Sequence, residues 1–341
     1  MPLAHILIEA YNDRPGSAKM MLPQSQTMPP PGRSFELRVE AARAAFHEGR
    51  LADALQLFSE LTREFPFNPL PHADLGMTLR RMGRTEAAVT SYNRALALAP
   101  DDPRVMSILG NALRSLDRPA DAEKLQARAL MMVPDDRWLR YNYALTLRDM
   151  RKTSEALRML SDLHAEQPSD PEVAWDLAIT QLQMGDYIEG FKGYEARWHI
   201  ERNKTGMCEG PHWNGEEIAG KRILLQSEQG FGDAIQFVRY VPLVAACGAR
   251  IVLECMPELS TLFANIPGVE EVVIRGTGMP SVDLSAPLLS LPRLFGTSLA
   301  TIPTRVPYLQ TTQKLMLPRT PDTNLRVGLI WAGKPAPRDR S

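Results

Sequence analysis

Six residues in the second half of the chain combine two carboxylates, an amide and two glycines within one turn: Glu228-Gln229-Gly230-Phe231-Gly232-Asp233. The apolar run Ile223-Leu224-Leu225 precedes them and the amphipathic segment 234–240 follows. Strand, glycine turn and helix in succession let a backbone come close to a ligand, because glycine tolerates conformations that a Cβ forbids. Here that approach would occur beside the Asp233 carboxylate, with Gln229 and Arg239 as further polar groups for a bound acceptor. The same aspartate is also a residue that caps helices, here one beginning at Ala234, and the two readings stand side by side. The spacing Gly230-x-Gly232 lacks the third glycine of the dinucleotide fingerprint, and neither GxxxxGK[ST], GxSxG nor HExxH occurs. The chemistry of P-loop nucleotides, serine hydrolases and zinc proteases is therefore not indicated.

Composition narrows the classes further. The 341 residues are 44% hydrophobic and 23% charged, with 39 Lys+Arg against 40 Asp+Glu. This describes a globular chain long enough for two or three domains, with no bulk charge to draw nucleic acid or an anionic membrane. Cys208, Cys247 and Cys255 lack CxxC spacing, so neither a disulfide framework nor a metal site is expected, and no cofactor is implied. The six histidines are scattered, and His199 and His212 beside Trp198 and Trp213 read as structural. No apolar run reaches bilayer length and the N-terminus lacks a signal-peptide pattern, so a cytoplasmic protein is expected.

Something must hold the glycine turn, and the first half of the chain is periodic. Pro66, Pro100, Pro134 and Pro168 are each 34 residues apart, as are Ala54, Ala88, Ala122, Ala156 and Gly190. Phe58, Tyr92 and Tyr194 follow four residues after three of those small residues, and Leu75-Gly76, Leu109-Gly110 and Leu177-Ala178 recur on the preceding helix. This pattern resembles the tetratricopeptide repeat family, in which pairs of helices stack into a superhelix whose concave face usually binds peptide or protein. It covers residues 35–202 as about five repeats, after a proline-rich segment 1–34 read as a mobile tail. Arg80, Arg114 and Arg148 share the 34-residue spacing. They read either as a guanidinium ladder for acidic side chains and carbonyls of an extended peptide, or as a stripe that closes each first helix against its dipole. Tyr141 and Trp175, with Trp138, could add aromatic anchors or pack between repeats.

A glycine-rich linker, 203–219, leads into alternating apolar and helical runs at 222–226, 231–247, 250–254, 257–264 and 271–274, continued more weakly by a strand at 281–284 and a helix at 288–295. Alternation of this kind predicts an α/β domain over 220–318 with a mainly parallel sheet and a ligand crevice outside the carboxyl ends of its strands. Together with Trp213-x-Gly215, Phe237-x-Arg239-Tyr240, Pro267-Gly268-Val269, Pro307-Tyr308-Leu309 and Val327-Gly328-Leu329-Ile330-Trp331-Ala332-Gly333, the glycine turn resembles the glycosyltransferase-like domain of proteins related to heptosyltransferases and protein O-GlcNAc transferases. That resemblance implies a Rossmann-like acceptor-side domain. Asp233 would be the base that removes a proton from an acceptor hydroxyl, with Gln229, Gly230, Gly232 and Arg239 contacting the acceptor. It further implies that 325–341 begins a second, donor-binding half that the chain lacks, so that a nucleotide sugar would bind only if that half were supplied. Sugar transfer to a protein acceptor is then the activity of the complete family, and this chain is expected to be inactive. A plain interaction scaffold that keeps a vestigial α/β half-domain is the alternative. The apolar stretch 325–331 is expected to dock on the preceding domain, fray or seed association.

Overall fold

The computed structural model describes residues 31–200, 210–278 and 280–310, which form two compact units, one ending at Met159 and one beginning at Leu160. The expectations for the tail before residue 31 and for 325–341 lie outside the described residues. The first helix, α1 (Pro31–His47), begins four residues ahead of the boundary expected from the sequence. The helices then run in pairs: α2 (Leu51–Glu64), α3 (Pro69–Arg81), α4 (Thr85–Leu98), α5 (Pro103–Ser115), α6 (Pro119–Met132), α7 (Arg137–Asp149), α8 (Thr153–Glu166), α9 (Pro171–Gln183) and the short α10 (Tyr187–Gly193).

The 34-residue period is written into the helix ends. Asn68, Asp102, Asp136 and Asp170 are the N-caps of α3, α5, α7 and α9, and each side chain accepts a backbone N–H from the first turn. A cap of this type stabilises a helix by roughly 1 kcal/mol. Proline opens α3, α5 and α9, where its missing N–H costs nothing because that group has no intrahelical partner. The small residues mark close helix contacts. Ala54, Ala88 and Ala122 are fully buried, and the missing Cβ of Gly76 leaves room for the Tyr92 ring.

In the third pair the position of Phe58 and Tyr92 is taken by Gln126, which is buried. Its Nε2 donates to Asn111 Oδ1 (3.0 Å) and to the Ser107 carbonyl (3.2 Å), and its Oε1 accepts from the Thr146 hydroxyl. Asn111 in turn donates to Asn142 (2.9 Å), so a closed polar network replaces an aromatic ring between successive repeats.

In the second unit, β1 (Arg222–Gln226) pairs in parallel with β2 (Arg250–Cys255) and with β4 (Leu284–Pro287), and β2 pairs in parallel with β3 (Val269–Ile274), giving the order β3-β2-β1-β4. Ile223, Leu225, Ile251, Leu253, Leu284 and Ala286 are buried in one core cluster with Ala234, Val238, Val241 and Val244. These last four lie on α11 (Phe231–Phe237), a 3-10 turn (Val238–Tyr240) and α12 (Val241–Ala246). Sequence alternation predicts one helix over 231–247, and the chain forms three short pieces because Pro242 removes a backbone donor in mid-run. The last strand lies at 284–287 and not at 281–284. Asp283, just before it, accepts the Arg222 N–H on its carboxylate (2.7 Å), and pairing starts at Ile223 with Leu284. A 3-10 turn (Pro257–Leu259) with α13 (Ser260–Phe263), and a second (Leu288–Ser290) with α14 (Leu291–Leu294), complete the unit.

Candidate functional site

The glycine turn leaves the carboxyl end of β1. The chain proceeds from β1 outward to β2 and β3, then returns to place β4 on the other side of β1. The loops after β1 and β4 therefore diverge at the point where an open parallel sheet offers a crevice. Glu228, the first residue of the turn, points its carboxylate into the protein. Its two oxygens accept from Arg197 Nε (2.9 Å) and Nη2 (3.0 Å), and Oε1 also accepts from the Leu289 N–H (3.2 Å) in the loop after β4.

Arg197 lies on the 3-10 turn Tyr194–His199 that follows α10, and it is 2% exposed. It also donates to Glu195 (2.7 Å), to Ser290 Oγ (2.8 Å) and to the Tyr194 carbonyl (3.1 Å), and its guanidinium lies 4.4 Å from the Trp198 ring centre. Burial pushes the Glu228 carboxyl up, and the Arg197 hydrogen bonds and charge oppose that rise. The base of the crevice is thus filled by the chain's own ion-pair network. The sequence places Glu228 at the start of the turn and does not single out Arg197 as its partner.

The rest of the turn is open. Gln229, Gly230, Phe231 and Gly232 are exposed and Asp233 is half-buried. Helix α11 starts at Phe231 and not at Ala234, so Asp233 is its third residue and turns back to accept the Gly230 N–H (3.2 Å). That contact occupies one of the two glycine donors that the sequence reading directed at a ligand. Gln229 Nε2 donates to Tyr194 Oη (3.0 Å). Tyr194, whose phenol is raised chiefly by burial and also by the nearby Glu228 and Asp233 charges, is a neighbour of the turn that the sequence reading assigned to repeat packing.

Gly232 has a free position at its absent Cβ, and neither Gly230 nor Gly232 has a positive φ. The fold itself does not require these glycines, and Gly232→Ala should leave the urea midpoint unchanged or slightly raised, since alanine is favoured in helix by up to about 1 kcal/mol. Arg239 is engaged elsewhere. It donates to the carbonyls of Gln236 (2.8 Å) and Pro303 (3.4 Å) and stacks 4.7 Å from the Tyr308 ring centre, while Tyr308 Oη donates to the Ile235 carbonyl (3.1 Å). It straps the 303–308 loop onto α11.

On the repeats, Arg80, Arg114 and Arg148 occupy the last turns of α3, α5 and α7. Arg114 is bound through Nε and Nη2 to Asp149 Oδ2, both at 2.9 Å. The residues in the equivalent place for Arg80 and Arg148 are Ser115 and Gln183. Tyr141 and Trp175 are half-buried, and the Trp175 ring lies 6.4 Å from that of Tyr194. Among the described residues no group of three or more His, Cys, Asp or Glu side chains could hold a metal ion, and no helix is long and apolar enough to cross a membrane.

Comparison with known proteins bears on the helical half. The tetratricopeptide repeat family profile matches residues 32–69 and 73–137. The helical pairs within these residues are tetratricopeptide repeats. Protein FlbA of Caulobacter vibrioides is 32% identical over 121 residues, which is 32% of this chain and 20% of that protein. The chain thus spans about a fifth of the length of that curated relative. Among solved structures, MamA (residues 41 to the end) from Desulfovibrio magneticus RS-1 is 17% identical, with half of this chain and 97% of that chain covered at a TM-score of 0.43. PilF of Pseudomonas aeruginosa is 18% identical, covering 48% and 75% at 0.43. The α/β segment, a four-stranded parallel sheet, lies beyond the profile match.

Proposed function

We propose that this chain is a protein-binding scaffold that holds an extended segment of a partner on its repeats. The observation that carries the reading is the register of capped helix pairs repeating every 34 residues, because stacked pairs expose the same helix face again and again. Arg80, Arg114, Arg148, Tyr141 and Trp175 are the groups assigned to the partner, and Arg114 also pairs with Asp149. A peptide selected from a displayed library on the purified chain should lose about tenfold in affinity in Arg80→Ala, about 1.4 kcal/mol. Selection of no peptide, or selected peptides indifferent to all five alanine substitutions, would overturn the reading.

Sugar transfer is the second reading, favoured by one feature: the Gln229–Asp233 turn stands where the strand order reverses in a parallel sheet. Under it the segment is a Rossmann-like acceptor-side half, Asp233 is the base, and the nucleotide sugar is taken by a donor-binding half fused after it. Transfer by such a fusion should fall at least 100-fold in Asp233→Asn, the upper part of the range for removing a general base being about 10⁴. Equal transfer with and without the carboxylate would show that Asp233 has only its capping role.

A further inference from the structure

We propose that the buried contact between Arg43 on α1 and Asp74 on α3 is a pH-sensitive latch, which holds the first helix pair on the second more firmly as the medium becomes more acidic. Asp74 is 1% exposed. Its Oδ2 accepts from Arg43 Nε at 2.9 Å, with Nη2 at 2.8 Å, while its Oδ1 is buried with no hydrogen-bond partner. A carboxylate left with one orphan oxygen in the interior is costly in its charged form.

Two other repeat junctions do without a charge pair at this place. With the same spacing, Asn111 donates to Asn142 in a neutral pair, and the residues of the intervening junction are Met77 and Ile108. The first pair also has its own core cluster, Val39, Ala42, Ala45, Phe46, Ala54, Phe58 and Leu61, against which Leu75 and Met77 of α3 pack. Arg81 of α3 adds a second polar tie, donating to the Phe46 carbonyl (2.6 Å) and lying 4.8 Å from the Phe46 ring centre, and Arg43–Asp74 is the ion pair beside it. Arg43 on α1 is the charged group that acts on Asp74; α2, α4 and α5 meet α3 through apolar clusters that include the Tyr92 ring.

Burial raises the Asp74 carboxyl to about 6 from its ordinary 3.8, against the charge and hydrogen bond of Arg43. A carboxyl whose folded-state value is raised contributes stability that is complete below its unfolded value and is lost as pH rises through the folded one. Between pH 4 and 7, opening of the first pair should therefore become easier, by about 100-fold for a rise of roughly two units.

Hydrogen exchange at α1 and α2, corrected for the intrinsic pH dependence of exchange, should show protection that falls over this interval in the unaltered chain and stays flat in Asp74→Asn. Carbon-13 titration of the Asp74 carboxyl in the unaltered chain should give a midpoint near 6, and this readout does not depend on a variant folding. A midpoint below 4, or protection that rises with pH, would overturn the latch. So would a fall that persists unchanged in Asp74→Asn.

Discussion

Arg197→Met should destabilise the unit that begins at Leu160 by about 3–5 kcal/mol, the usual cost of removing one partner from a buried ion pair. The loss does not come from the guanidinium's hydrogen bonds alone, each of which is worth about 1.5–3 kcal/mol at most. It comes from what remains. Glu228 would keep its buried carboxylate with only the Leu289 N–H, and Ser290 and Glu195 would each lose the guanidinium donor they share. Glu195 would retain the Ser290 hydroxyl and a distant Arg293, at 3.7 Å, so the residual network would carry excess negative charge.

Urea unfolding followed by tryptophan fluorescence should show the midpoint fall with little change in slope. Arg197→Met combined with Glu228→Leu should recover much of the loss, because the stranded charge leaves with its partner. A single-variant loss below about 1 kcal/mol would mean that water already reaches these groups and that the network is not what joins the last helices to the sheet. The same argument places the sensible truncation point. A fragment cut at residue 212 keeps Arg197 and discards Glu228 and Ser290, whereas one ending at Glu166 keeps α8 whole and omits Arg197 together with Glu228.

Gly76 is the second position at which a small change should have a large effect. A Cβ there would lie 2.4 Å from Tyr92 Cε1 and 2.5 Å from Cδ1, and Tyr92 is fully buried in the core of the second helix pair. Two effects oppose each other in Gly76→Ala. Alanine is favoured over glycine within a helix by about 1 kcal/mol, whereas an extra carbon in a filled core costs about 1–3 kcal/mol. The ring has no free space to enter, so packing should win, with a net loss of about 1–2 kcal/mol and a larger one for Gly76→Val. Gly76→Ala with Tyr92→Leu should lie above the sum of the two single losses, since the smaller side chain vacates the space that the new methyl needs. Additive losses would place the ring out of contact with α3. Gly232→Ala is the informative comparison: the same substitution at a glycine facing open space should do no harm.

These two positions also show which features could be read before folding. Gly76 belongs to a series of small residues with a fixed spacing, and a period in sequence becomes a stack in space because each repeat folds locally and packs on its neighbour. For the same reason Pro66 and its counterparts marked the turns. The caps Asn68, Asp102, Asp136 and Asp170 carry the same 34-residue signal and would have sharpened the helix starts. The strands 222–226 and 250–255 were legible from apolar runs bounded by glycine or charge, because their residues are buried on the helix-covered face of the sheet and partly on the other.

The site was less legible. Asp233 is adjacent in sequence to the glycines it stands beside in space, so its placement on the turn needed no tertiary information. That its carboxylate bends back to Gly230 depends on where α11 starts, and helix starts without a strong cap residue are weakly encoded. Arg114 shares its spacing with Arg80 and Arg148, and its pairing with Asp149 could not be read from that spacing.

What the sequence by itself determined was the local and repeated part: helix pairs 34 residues apart, their caps and turns, and the succession of parallel strands. The tertiary structure alone decided the fate of Glu228, because its partners lie 31 residues back at Arg197 and 61 residues on at Leu289. No pattern in the chain connects them. A buried charge takes whichever opposite charge the fold brings within about 3 Å, and once Arg197 arrives there the residue that opened the glycine turn becomes the tie between the last repeat and the sheet.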